Sequence, residues 1–160
     1  MKKLLLLILF QSFMLSDIIN VPDDYTTIQG GVDAAVDGDT VLVSQGTYFE
    51  NIHITRSITL ASYALYDDLT EWVEFDDEIF WEWQVTNENI ANTIIDCSTA
   101  TDDYGSCILI YSEDEDEDCI EPRVIGFTIQ NGLGTQVKRN PDTEEEAQER
   151  LGGGILFDIS

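Results

Sequence analysis

The sequence predicts an all-β solenoid led by one short capping helix, on three observations. A helical stripe running from Ile28 to Val36 is followed at once by three short β-branched runs, Thr40–Ser44, Asn51–Thr55 and Ser57–Ser62. The turns between these runs are too closely spaced for helical crossovers, and none is a two-residue Asn-Gly hairpin turn. Comparable runs return at Thr93–Ser98, Ser106–Ser112, Val124–Gly132 and Ile155–Ile159. A chain that turns a corner every few residues, with apolar side chains kept inside, describes the coils of a solenoid.

Taken in order, the helix comes first. Ile28, Val32, Ala35 and Val36 share one helical face. Thr26 or Thr27 can cap its start, and Gly38 within Asp37-Gly38-Asp39 can stop it. Gly30 and Gly31 weaken it by up to about 1 kcal/mol each relative to Ala, so it needs a surface to lie against. The three runs after it alternate like strands, and His53, between Ile52 and Ile54, is expected to face outward.

The segments Tyr25–Gln29 (YTTIQ), Val32–Ala35, Gly38–Val43 (GDTVLV), Gly46–Ile52 (GTYFENI) and Ile58–Ser62 resemble the entrance of right-handed parallel β-helix proteins of the pectin-lyase-like superfamily. The likeness continues in Thr93–Ser98 (TIIDCS), Val124–Gly132 (VIGFTIQNG) and Gly152–Ile155 (GGGI). It implies a right-handed parallel β-helix whose N-terminal end is plugged by the helix. About activity it implies little. The QDT and DFIFG-type motifs of pectin methylesterases do not occur, and neither do the Asp-Asp pair with downstream His and RIK-type motif of polygalacturonases.

Polar insertions interrupt the pattern at residues 63–92, 113–118 and 135–150. The first holds Trp72, Trp81 and Trp83 among many carboxylates, with Leu65, Leu69 and Trp72 at helical spacing and Phe80–Trp83 alternating like a strand. Exposed rings there would stack on sugar faces, which makes these three tryptophans the candidate carbohydrate-binding residues. The bland alternative, in which they cover the flank of the solenoid, carries more weight, because large aromatics usually bury. Residues 113–118 are six consecutive acids, expected as a solvated loop without the spaced ligands of an EF-hand. Val124–Gly132 reads as one repeat unit, with Phe127 and Ile129 on one side and Thr128 and Gln130 on the other; Asn131 suits a left-handed corner. Thr143–Arg150 is expected as a short exposed helix. Run starts at Val41, Ile58, Ile94, Ile108, Phe127 and Ile155 are spaced by 17, 36, 14, 19 and 28 residues, the long gaps holding insertions. About four to six coils are expected, each advancing about 4.8 Å.

At 160 residues and 43% hydrophobic content there is one domain with a core. Lys2 and Lys3 before the apolar run Leu4–Phe10 mark residues 1–16 as a secretory signal peptide, too short to span a membrane, leaving 17–160 as the β-helix domain at the cell surface or secreted. The formal charge is −25, and loss of Lys2 and Lys3 makes it −27. Such a surface repels phosphate backbones, excluding nucleic acid, and repels polyanionic glycans unless divalent cations bridge the two. Of the three cysteines, one pair in an exported chain would leave an odd thiol, and Cys97 and Cys107 are expected as small buried residues stacked in the solenoid in preference to a disulfide; Cys119 follows the acidic run.

No nucleophile elbow, P-loop or dinucleotide fingerprint is present, and no catalytic residue stands out. Arg56 and Arg123 are the arginines near strands, each without an acidic partner at a fixed offset. Asp96 and Asp158, at strand ends, would line one face if the coils stack in register and are the candidate metal ligands, with calcium as the cofactor they would take. A solvated or turn-capping Asp is the plainer reading of both. The expectation is an exported structural or carbohydrate-recognition module without catalysis of its own, its ligand a polysaccharide. The alternative is the N-terminal part of a polysaccharide lyase or glycoside hydrolase acting on pectin-like glycans, with catalytic coils beyond Ser160. The open end after the last strand is expected to meet further coils or another chain.

Overall fold

The computed structural model describes residues 16–76, 82–99, 105–112, 120–138, 148–151 and 153–157. These are mostly strands with few helices. In order they form β1 (Ile18–Val21), α1 (Ile28–Ala34), β2 (Thr40–Val43), β3 (Gly46–Tyr48), β4 (Ile52–Ile54) and β5 (Thr59–Ser62). Next come β6 (Val73–Asp76), β7 (Glu82–Val85), α2 (Glu88–Asn92), β8 (Thr93–Asp96) and β9 (Ile108–Ile110). The chain continues with β10 (Arg123–Ile125), β11 (Thr128–Gln130), β12 (Thr135–Lys138), β13 (Gln148–Leu151) and β14 (Ile155–Phe157).

Three parallel sheets carry the fold, with strand orders β1-β2-β5-β10, β3-β8-β11 and β4-β9-β14. From β2 onward the chain visits them in the same cyclic order, β2-β3-β4, then β5-β8-β9, then β10-β11-β14. Register is kept from layer to layer. Val41 pairs with Leu60 and Leu60 with Val124; Ile52 pairs with Ile108 and Ile108 with Ile155; Tyr48 pairs with Ile95 and Ile95 with Ile129. A parallel register that places like residues over one another gathers their side chains into columns. The core is accordingly aliphatic, with Val41, Val43, Ile52, Ile54, Leu60, Ile95 and Ile108 fully buried. Each contributes on the order of 1.5–3 kcal/mol by leaving water.

Helix α1 lies across the first layer of this core. Its cap is Thr27, whose hydroxyl accepts from the Gly30 N–H at 3.1 Å. Ile28, Gly31 and Val32 face inward. A Cβ on Gly31 would come within 3.0 Å of Val41 and 3.1 Å of Val21, so Gly31, which weakens the helix locally, is what lets it sit flush on the strands. Three side chains from the neighbouring layer and from the helix itself hold it. The Glu50 carboxylate accepts from the Ile28 and Gln29 N–H groups, both at 2.9 Å, satisfying donors that every helix start leaves orphaned. Arg56 Nη1 donates to the Asp33 and Ala35 carbonyls at 3.3 and 3.2 Å, at the other end. The Gln29 amide accepts from the His53 N–H at 2.8 Å and donates to the His53 carbonyl at 3.2 Å. It stands in for the strand that β4 lacks on that edge.

Several expectations are corrected. The helix ends at Ala34, before Gly38, and Val36 leaves the apolar stripe to stand 60% exposed. The strands β1, β6 and β12 were not foreseen, nor was β3 at Gly46–Tyr48, where a turn was expected around Gln45-Gly46. Val124–Gly132 is two strands in two sheets, because the chain turns at Gly126, whose φ of +77° and a Cβ position 2.6 Å from Ala64 exclude a larger residue. Insertion 63–92 carries an antiparallel hairpin, β6 with β7, then the short helix α2. Residues 148–150, expected as helix, pair antiparallel with β12 as part of β13. Cys97 and Cys107 are joined by a disulfide, not merely stacked. The corner between β8 and β9 brings their Cα atoms to 5.4 Å, and both are fully buried. Cys119 and residues 113–118 lie outside the described residues.

Replacing Gln29 with Ala removes a side chain that pairs with both backbone groups of His53. The expected cost is about 1–3 kcal/mol in chemical denaturation, with faster amide exchange at His53. Unchanged exchange there would show that water satisfies the β4 edge equally well.

Candidate functional site

The aromatic excursion leaves the first sheet after β5. Its base is tied down by polar side chains. The Asp67 carboxylate accepts from Asn87 Nδ2 at 2.9 Å and from Asn89 Nδ2 at 2.8 Å, bonds that hold its pKa below the usual carboxylate value. Gln45 Nε2 donates to Asn89 Oδ1 at 3.0 Å, fastening the same base to the corner before β3. On this frame Trp72 is 41% exposed, at the end of a single 3-10 turn, with Tyr63 and Tyr66 41% and 61% exposed on the turn before it. The tyrosine rings lie 6.3 Å apart, tilted by 59°. Trp83 lies in β7 with its backbone opposite Phe75, and Trp81 lies outside the described residues. Tyr63 and Tyr66 were not singled out from sequence, although their spacing of three would place both on one side of a 3-10 turn.

Asp96 closes β8 and is buried. Its Oδ1 accepts from the Ser98 N–H at 2.9 Å, its Oδ2 from Gln130 Nε2 at 2.7 Å, and Asn131 Nδ2 lies 3.1 Å from both oxygens. These donors, the Ser98 N–H foremost, stabilise the ionised form and lower its pKa to about 2. Asn131 takes the left-handed conformation expected of it, φ 62°, and its amide meets the Asp96 carboxylate. Asp96 thus straps β8 to the end of β11. Each donor occupies a lone pair that a cation would need. Asp158 lies outside the described residues, and among the described residues no three His, Cys, Asp or Glu side chains converge as a metal site.

A groove of about 430 Å³ opens beside α1, at the corner between β4 and β5. Val32 and Ile58, both buried, form its floor. Gln29, Asp33, His53, Thr55, Arg56 and Tyr111 form its rim. The same bonds that fasten α1 arrange this rim. Gln29 Nε2 donates to Asp33 Oδ1 at 2.7 Å, and the Asp33 carbonyl of α1 and the Ala35 carbonyl just after it hold the Arg56 guanidinium. The His53 and Tyr111 rings meet edge to face at 6.3 Å, as β4 and β9 stack one above the other. His53 does face away from the core, yet it is half-buried in this groove and not simply on the surface. No sequence pattern joins Asp33, Arg56 and Tyr111, which come from the helix and two successive layers.

Compared with known proteins, the chain matches no family model, no curated protein and no solved structure.

A lowered carboxylate pKa makes folding depend on pH in one direction. Above about pH 4, the ordinary Asp value, the full stabilisation from Asp96 is present, and it is lost as pH falls toward 2. Acid unfolding monitored between those values should therefore be shallower in Asp96→Asn, which begins less stable. Parallel curves would mean that the donors do not favour the ionised form.

Proposed function

We propose that this chain forms coils of an exported right-handed parallel β-helix of the pectin-lyase-like type, and serves as a structural or carbohydrate-recognition module with no catalysis of its own. Three parallel sheets visited three times in one cyclic order, with register kept, support the β-helix reading. A short helix over the first layer supports it too, since a stack of coils must close its open end.

The observation that carries the recognition role is the exposure of Tyr63, Tyr66 and Trp72 on one excursion. Tyr63 and Trp72 keep 41% of their surface in water and Tyr66 61%, so each side chain is anchored on the excursion yet leaves area uncovered. Left in water, they offer apolar faces framed by hydrogen-bonding side chains, which suits the alternating C–H faces and hydroxyl edges of a sugar. The net charge of −25 over the full chain disfavours polyanionic glycans and favours neutral ones. Among the described residues no helix is long and apolar enough to cross a membrane. Export rests on the basic and apolar leader at residues 1–16.

A polysaccharide array probed with the purified chain tests this. Binding to neutral glycans is expected, and Trp72→Ala should weaken it about tenfold or more with the melting temperature nearly unchanged. Retained binding after that substitution removes Trp72 from the site; a collapse in melting temperature instead makes its ring part of the packing. Absence of binding to any glycan leaves the structural role alone.

A further inference from the structure

We propose that the groove beside α1 is a second, separate saccharide site, built for one or two neutral sugar rings. This deepens the carbohydrate-recognition reading and rests on it.

The volume, about 430 Å³, falls within the few hundred cubic ångströms of small-ligand sites. Its rim carries both signs of charge close together. Asp33 uses Oδ1 to accept from Gln29, and its Oδ2 has no partner among the described residues. Arg56 uses Nη1 on two backbone carbonyls, and the donors on Nε and Nη2 have no partner among the described residues. Adjacent sugar hydroxyls match such a pair, one donating to the Asp33 carboxylate and its neighbour accepting from the guanidinium. The half-buried Tyr111 ring supplies a face for the C–H side of the sugar, and the Thr55 hydroxyl a further polar contact.

The chemistry argues against other ligands. One carboxylate beside an arginine is a poor cation site, since the guanidinium repels the ion. Arg56 alone is a weak anchor for a polyanion, because the acidic surface around it opposes approach. What remains favourable is a neutral polyol that exchanges hydrogen bonds with both charges without carrying charge itself. Gln29, Asp33 and Arg56 on the rim are also held before any ligand arrives, by hydrogen bonds within and to the helix. Little ordering cost is left for binding.

The test is titration of the purified chain with cellobiose, mannobiose and galactobiose, with digalacturonate as acidic comparator, followed by amide chemical shifts. At least one neutral disaccharide is expected to shift the His53 and Tyr111 amides. Tyr111→Ala and Asp33→Asn should each weaken that binding about tenfold. The wild-type shifts locate the site even if a variant fails to fold. Disaccharide shifts confined to the 63–92 excursion, or no disaccharide shifts while neutral polysaccharides still bind, overturn the groove site and leave the recognition role standing. Preference for digalacturonate overturns the neutral class. Absence of binding to every disaccharide and polysaccharide overturns both proposals.

Discussion

A stack of parallel strands satisfies its backbone groups only between layers, so the first layer leaves a ladder of N–H and C=O groups facing nothing. This chain meets that constraint twice. In the first sheet, β1 adds one more strand ahead of β2. In the third sheet no such strand exists among the described residues, and the Gln29 side chain takes its place against His53. A single amide can imitate a strand because it presents one donor and one acceptor at nearly backbone spacing. The helix that carries Gln29 is too short and too rich in glycine to persist alone. It persists because Glu50 and Arg56, from the corners on either side of β4, fasten its two ends. Cap and first layer therefore stabilise each other.

The same logic explains why large insertions do no harm. The excursion between β5 and β8 forms its own antiparallel hairpin and returns through α2, so β8 still pairs with β3 in register. The hairpin of β12 and β13 does likewise between β11 and β14. Ladder bonds run between layers, not along the chain, and a detour at a corner leaves them intact. The Cys97–Cys107 disulfide and the Asp96 cluster sit at such corners, where the chain leaves one sheet for another and backbone bonding alone holds it least.

Electrostatics and fold meet at the groove. Most charge on this chain is negative, which keeps its surface solvated. Arg56 is an exception held in a defined place, and it is held there by the helix cap. A residue recruited to close the end of the core thereby becomes part of a polar rim with aromatic and hydroxyl neighbours.

The β-branched runs, the turn spacing and the helical stripe with its Thr27 cap were enough to set the strand-rich class, the leading helix and the corners that tolerate insertion. These are local properties, decided by side-chain shape and by which residues accept a turn. Asn131 belongs with them, since its left-handed backbone follows from its own short polar side chain. Where the sequence misled, the deciding partner lay far along the chain. Gly126 splits an apparently continuous strand because Ser62 and Ala64 crowd it from another layer. Cys97 meets Cys107, and Arg56 meets the end of α1, only once successive layers are stacked. The groove depends entirely on that stacking, for Asp33, Arg56 and Tyr111 share no spacing that one strand or helix would impose. Tertiary structure alone could bring them together, because register between layers, not periodicity within one, determines which side chains become neighbours.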